Sequence, residues 1–369
     1  MKFNFKKITR CKNCMTVSTR PRTKFKSGLC TACINYNQRK KIDWKKREKL
    51  LWKICDKVRD KNGNYDVVVP AGGGKDSSYV AWMLKKKFKM NPLCVFCEPP
   101  LITDLGWKNL KNFEKSGFDV IKILETKAFR NMNKITFIKE GLPQHNWISS
   151  IYIAPLKIAK IFNIKMVMWG EEGESMYGGK NSYRDRLDVG LKLFNLKLNN
   201  KPISNFLRSK NHEEYYWSTI NKKDYNECKK ILKCHWSFFE IWDENKHLKI
   251  AKKYMGLKYD KLKQENAINN HSHTDQKMFA LHMHLAFLKY GFGRATTDTS
   301  IAIRDKKLTR KKAIKIVKKY DKIFPTRFIK DYCDYFKMNK EKLIKTTNKF
   351  INKNIFEKEG NKSFLTDNI

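Results

Sequence analysis

The chain is 369 residues long and 41% hydrophobic, enough apolar mass for a packed core, which excludes global disorder. No run approaches the ~18 consecutive apolar residues of a membrane span, and residues 1–10 lack the apolar centre of a secretory signal, so a cytoplasmic protein is expected. The formal charge is +43, but 65 of the 79 basic residues are lysines spread along the chain. Readers of nucleic acid favour the planar fork of arginine, so the charge reads first as a solvated lysine background and second as a nucleic-acid surface.

Residues 1–42 show little apolar periodicity and carry Cys11-x2-Cys14 and Cys30-x2-Cys33. Two such knuckles separated by fifteen residues have the spacing of a tetrahedral four-thiolate zinc site. With four protein ligands no position stays open, so the expected role is structural. A third pair, Cys94-x2-Cys97, reads as sheet packing, with a redox or sulfur-carrying role as the alternative.

Residues 43–200 alternate between helix and strand patterns. A helix is predicted over 42–59, a β-branched strand over 65–69 and a helix running through Val80 to Leu84 with Ser77 or Ser78 as its cap. Further strands are predicted at 93–96, 120–124 and 165–169, and helices at 105–115 and 148–162, the last interrupted by Pro155. This order implies an α/β fold with a mostly parallel sheet covered on both faces. Over 201–369 the strand signals fade. Helices are predicted at 224–232, 275–289, 309–320 and 325–350.

The first strand runs into Ala71-Gly72-Gly73-Gly74-Lys75-Asp76-Ser77-Ser78. A glycine-rich turn between a buried strand and a helix start is where such sheets bind phosphates, because bare backbone and free amides approach the anion. The Walker pattern fails at Val69 and Asp76, and the dinucleotide fingerprint fails at Ser77. Lys75 and the amides suit charge developing on pyrophosphate, and an acidic residue in a phosphate site, Asp76, suits Mg²⁺. The loop resembles the PP-loop of ATP pyrophosphatases, with Gly72 in place of the usual first serine. That resemblance implies a bent ATP attacked at its α-phosphorus.

Three further segments narrow it. They begin at Pro99-Pro100, at Trp169-Gly170-Glu171 and at Lys289-Tyr290-Gly291-Phe292-Gly293-Arg294. With the knuckles and the loop, they resemble the N-acetyl sugar amidotransferase family of bacterial lipopolysaccharide O-antigen and flagellin-glycan pathways. The resemblance implies a Rossmann-like PP-loop domain over 43–200, an N-terminal zinc module over 1–42 and a helical region over 201–369. It implies ATP, Mg²⁺ and Zn²⁺. The substrate would be an acetamido sugar, either a nonulosonic acid or a nucleotide sugar, converted to an acetamidino sugar with release of AMP and pyrophosphate. A separate glutaminase and a cyclase-like subunit would supply ammonia.

The implied catalytic residues are Lys75, Asp76, Asp104, Glu171, Glu174, Arg294 and Asp298. Nucleotide would meet Ala71, Gly72, Gly73, Gly74, Lys75, Asp76, Ser77, Ser78, Glu98 and Gly170. The family's Asn-Pro is replaced here by Glu172-Gly173. His271, His273, His282 and His284 suggest a metal, but His282 and His284 would lie on different sides of a helix. A tRNA-thiolating PP-loop enzyme and a non-catalytic nucleotide-binding scaffold are the competing readings.

Overall fold

The computed structural model describes residues 8–60, 62–170, 176–178, 186–189, 191, 197–198, 201–202, 212–260, 263–271, 273–359 and 362–366. A short hairpin, β1 (Phe25–Lys26) and β2 (Leu29–Cys30), precedes α1 (Thr31–Gln38) and α2 (Trp44–Val58). The central elements are β3 (Val67–Pro70), α3 (Lys75–Lys86), β4 (Pro92–Cys97), α4 (Asp104–Lys115), β5 (Asp119–Ile123), α5 (Lys127–Glu140), α6 (His145–Ile161) and β6 (Met166–Trp169). Then come α7 (Lys222–Cys228), β7 (Leu232–His235) and α8 (Glu244–Met255). The five-stranded sheet has the order β5-β4-β3-β6-β7, and every pair is parallel.

Alternation along the strands divides the core. Val67, Val69, Cys94, Met166 and Met168 face α2, α3 and α8, where Leu51, Tyr79, Leu84 and Ala251 cover them. Val68, Leu93, Val95 and Val167 face α5, α6 and α7, packed against Phe129, Leu156 and Cys228. Strands buried on both faces need continuous apolar runs, and these have them. The predicted strands thus form, each within a residue or two of its expected bounds.

Differences from expectation lie on both sides of residue 200, beginning with α5, for which no helix was expected. The strand β7 starts at Leu232, the last residue of the segment expected to be helical over 224–232, in a stretch where no strand was expected, and it completes the sheet. The sheet therefore draws on residues beyond the expected 200 boundary. Pro155 sits inside α6 without ending it. Lys337, in the left-handed region at φ 50°, divides the predicted 325–350 helix into α12 (Ile329–Phe336) and α13 (Lys340–Asn348).

The C-terminal helices begin with α9 (Met278–Tyr290), α10 (Arg294–Arg304) and α11 (Arg310–Tyr320). α9 and α12 pack through Leu281, Leu285, Tyr332 and Phe336 onto Phe137 of α5. A bridge between Ile102 and Gln276 ties this region to the loop after β4, and Thr103 reinforces it by donating to the carbonyl of Thr274 at 2.7 Å.

The start of α10 is held by a buried carboxylate. Asp321 accepts from the Gly293 amide at 3.0 Å, the Thr296 amide at 3.1 Å and the Thr296 hydroxyl at 2.5 Å. It satisfies amides that a helix start leaves without partners. Replacing Asp321 by Ala should cost about 2 kcal/mol of unfolding free energy, read by chemical denaturation, because those donors stay buried without acceptors.

Candidate functional site

The strand order reverses between β3 and β6: the chain moves outward through β4 and β5, then returns to β6 on the other side of β3. Ligands in open parallel sheets bind at such a point, beyond the carboxyl ends of the strands. The glycine loop leaves β3 there and Gly170 leaves β6. Gly73 takes φ 73°, and a Cβ on it would stand 2.7 Å from the Asn109 carbonyl carbon. A Cβ on Gly170 would stand 2.8 Å from the Ser77 Cα. Both positions therefore require glycine. Gly72 is different, since a Cβ there meets only the Phe96 ring at 3.5 Å.

α3 begins at Lys75 with Gly74 as its cap residue, so neither Ser77 nor Ser78 caps it. The amides of its first turn point into the crevice, as a helix N-terminus demands. Ser77 lines the crevice, while Ser78 is fully buried with no partner for its hydroxyl among the described residues. The Asp76 carboxylate is held on both oxygens. Lys75 Nζ lies 2.6 Å from Oδ2 and His247 Nδ1 lies 2.7 Å from Oδ1. Burial acts to raise Asp76, but Lys75 and His247 outweigh it and hold the group below the usual carboxylate range.

A cavity of about 530 Å³ opens over this turn. Gly72 to Ser77 and Gly170 form one side. Arg20, Tyr177, Trp242, Glu244, His271, His273, Phe279, Arg294 and Thr297 form much of the other. Arg294 Nε approaches Asp298 Oδ1 at 2.9 Å, and its Nη1 lies 2.9 Å from His273 Nε2. Burial, seconded by Arg294, pushes His273 well below its ordinary value, so the neutral ring accepts this bond. Burial raises Asp298, and the Arg294 guanidinium beside it opposes that rise. His273 also stacks on Phe279, with ring centroids 3.5 Å apart.

Not every expected residue is at this cavity. Asp104 is exposed on the first turn of α4. The Glu98 carboxylate accepts from the Glu125 amide at 2.8 Å, which ties it to a neighbouring loop. Glu171, Glu172, Gly173 and Glu174 lie outside the described residues. His282 lines the cavity, with burial the main cause pushing its ring down to about 3, and His284 packs edge-on against Phe324. Cys94 and Cys97 face opposite sides of the sheet. Burial raises both thiols, Cys97 to about 12.

Among the residues not anticipated were His247, Arg20, Trp242, Glu244 and Tyr177. The helix carrying His247 does have a sequence signal: Asp243 caps it, accepting from the Asn245 amide at 2.9 Å, and Glu244 follows in its first turn. No spacing rule links His247 to Asp76.

The Cys11, Cys14, Cys30 and Cys33 sulfurs all lie within 4.8 Å of one another. Cys11–Cys33 measures 3.8 Å and Cys14–Cys30 3.6 Å, close to the ~3.8 Å edge of a tetrahedron of thiolates around one zinc ion. The cluster docks on α10. Arg304 reaches Cys14 Sγ at 3.5 Å and Thr16 reaches Ser300 at 3.4 Å, while Arg20 donates to Thr297 at 3.3 Å.

Fold and site thus define a parallel α/β protein with a phosphate-type glycine loop, a four-cysteine cluster and a helical C-terminal region. No described helix is long and apolar enough to cross a membrane. Residues 258–367 match the family model described as the C-terminal domain of LPS biosynthesis protein WbpG-like proteins. That stretch contains His271, His273, Arg294, Asp298 and Asp321, and not the glycine loop. The uncharacterized protein MJ1599 of Methanocaldococcus jannaschii is 22% identical over 163 residues, covering 39% of this chain and 58% of that protein.

Three solved structures are similar in outline. A predicted subunit of tRNA methyltransferase from Methanocaldococcus jannaschii has a TM-score of 0.31 at 14% identity, covering 63% of this chain and 91% of that one. The U34-tRNA thiolase NcsA of Methanococcus maripaludis, with its [4Fe-4S] cluster, has 0.33 at 13%, covering 85% and 86%. The NH3-dependent NAD synthetase of Campylobacter jejuni has 0.27 at 17%, covering 60% and 100%. At these TM-scores the likenesses do not bear on this chain's reaction.

The Asp76 interactions set a pH dependence. A carboxylate whose folded value is depressed contributes stability that is full above its unfolded value, about 3.9, and is lost as pH falls through the folded value. The stability difference between the wild type and Asp76→Asn should therefore stay level through neutral pH and shrink only in the acid range, as followed by denaturation at a series of pH values.

Proposed function

We propose that the protein is an ATP-dependent, AMP-forming amidotransferase acting on an acetamido sugar of a bacterial surface glycan. One juxtaposition carries this reading: the glycine loop with Lys75 and Asp76 shares a cavity with Arg294 and His273, from the stretch matching the WbpG-like domain. Phosphate-binding backbone and a polar, aromatic-lined acceptor wall face each other, as transfer between a nucleotide and a sugar requires.

In this reading the acetamido oxygen attacks the α-phosphorus of ATP, the α–β bridging bond breaks, and pyrophosphate leaves. Lys75 and the first-turn amides of α3 neutralise the charge that develops on it. Ammonia then attacks the activated carbon and loses a proton. AMP departs with the former amide oxygen, leaving the acetamidino group. Arg294, braced by Asp298, offers its fork to an acidic or phosphate group on the sugar. Glu171 and Glu174, which follow Gly170 in the chain, are assigned to the metal or to the proton from ammonia. A magnesium ion would neutralise phosphate charge. Asp76 fits it, since each of its oxygens keeps a second lone pair beside its present partner. Ammonia from a glutaminase with a cyclase-like partner, and a cytoplasmic location, belong to the same proposal.

The tRNA-thiolating alternative needs sulfur-handling cysteines at the loop. Cys94 and Cys97 project to opposite faces with raised thiols, which argues against their acting together.

The test is to incubate the protein with ATP, Mg²⁺, ammonium and a panel of acetamido sugars, including nonulosonic acids and UDP-linked sugars. AMP release that depends on one sugar, with a mass change of oxygen to NH on that sugar, is expected, and Asp76→Ala should abolish it. Gly72→Ser should be tolerated, because the space beside Phe96 admits a side chain. Pyrophosphate release that requires tRNA would overturn the reading.

We also propose that the four cysteines hold zinc. Metal analysis should find a single equivalent of zinc. Removing it with a chelator should lower the melting temperature, because the thiolates would then lose the ion that holds them against Arg304 and α10.

A further inference from the structure

We infer that His247 is a positioning residue that fixes the orientation of the Asp76 carboxylate for the phosphate chemistry, an inference that rests on the adenylating reading above. Asp76 lies in the first turn of α3, next to Lys75. A carboxylate there has several rotamers, and the neighbouring ammonium alone does not select one, because Lys75 is long and reaches Asp76 from the adjacent position. The second contact comes from another helix. His247 Nδ1 stands 2.7 Å from Asp76 Oδ1, and its side chain is wholly buried.

The imidazole is itself packed between two aromatic rings. It stacks on Tyr79 with centroids 4.2 Å apart at 18°, and Trp242 meets it edge-on at 4.6 Å. Tyr79 is tied in turn. Its hydroxyl donates to Glu240 at 2.7 Å, and Glu240 also accepts from Trp236 Nε1 at 2.7 Å. Asp243 caps α8 and sets the turn on which His247 projects. The orientation of Asp76 is thus imposed through Glu240, Tyr79 and His247, a chain of rigid rings ending in one directed bond. Among the described residues His247 Nε2 has no hydrogen-bond partner. The atom that Nδ1 meets is a carboxylate oxygen, which accepts, so Nδ1 carries the proton and donates it. A group that places a reacting or metal-holding carboxylate in this way acts on turnover more than on nucleotide affinity.

The experiment uses the full-length protein and two variants in the AMP-release assay. His247→Phe keeps the ring stacking and removes the donor. It should lower kcat by about 100-fold while the KM for ATP changes little. His247→Asn, whose amide can again donate to Asp76, should recover most of the loss. An unchanged kcat in His247→Phe would overturn the inference, as would equal losses in both variants accompanied by a lowered melting temperature. A second readout is independent of the acceptor and separates this inference from the proposed function. In protein with ¹⁵N-labelled histidine, the His247 signal should show a protonated Nδ1 and should shift in Asp76→Asn. If no sugar supports turnover, that signal still decides: an unprotonated Nδ1, or a signal indifferent to Asp76→Asn, would sink the positioning role.

Discussion

The close approach of α3 to the end of β6 governs the architecture of the site. The backbone at Gly170 passes so near Ser77 that any side chain would strike its Cα. At the other edge of the turn, Gly73 runs against the backbone of α4. Wedged between these two, the loop after β3 has one path, and that path turns the first amides of α3 outward over the carboxyl ends of the strands. The same wedge sits where the strand order reverses, the place in a parallel sheet where neighbouring connections part and leave a crevice.

The opposite wall is built from remote sequence, and its attachment explains several otherwise separate features. The 101–103 segment pairs with 274–277, which carries His271 and His273 to the cavity. Asp321 holds the start of α10, and so the position of Arg294. The four-cysteine module grips the far end of the same helix through Arg304 and its middle through Ser300. α10 is therefore fixed along its length by two buried polar attachments. A four-cysteine module set apart from the glycine loop can still serve a site by such bracing, and this one also contributes Arg20 to the cavity wall.

Charges near the cavity occur in partnered sets: Asp76 with Lys75 and His247, Arg294 with Asp298 and His273. Such sets add little net stability, because desolvation offsets most of the attraction. Their effect is directional. Each carboxylate or guanidinium has one orientation in which all its partners are satisfied. Aromatic rings pack on a member of each set, Tyr79 and Trp242 on His247 and Phe279 on His273.

Local chemistry was legible in the residues themselves. Four apolar β-branched or hydrophobic runs, each flanked by turn signals, determined the strands from β3 to β6. The glycines and Asp76 determined the loop, and two CxxC pairs determined the cysteine cluster, because each signal acts within a few residues of itself. The edge strand β7 was not legible, since Leu232–His235 is short, and only pairing with β6 distinguishes it from the end of a helix. Nor was the displacement of Asp104 and Glu98 from the cavity, which depends on how the loop after β4 turns away. The contact of His247 with Asp76, and that of Arg294 with His273, joins segments whose separation no periodicity encodes. The sequence by itself determined the strands from β3 to β6 and the phosphate-type loop. Only the tertiary structure decided which side chains share the crevice, because that depends on the packing of α8 and α10 over the sheet, a long-range balance of buried surface and paired charge.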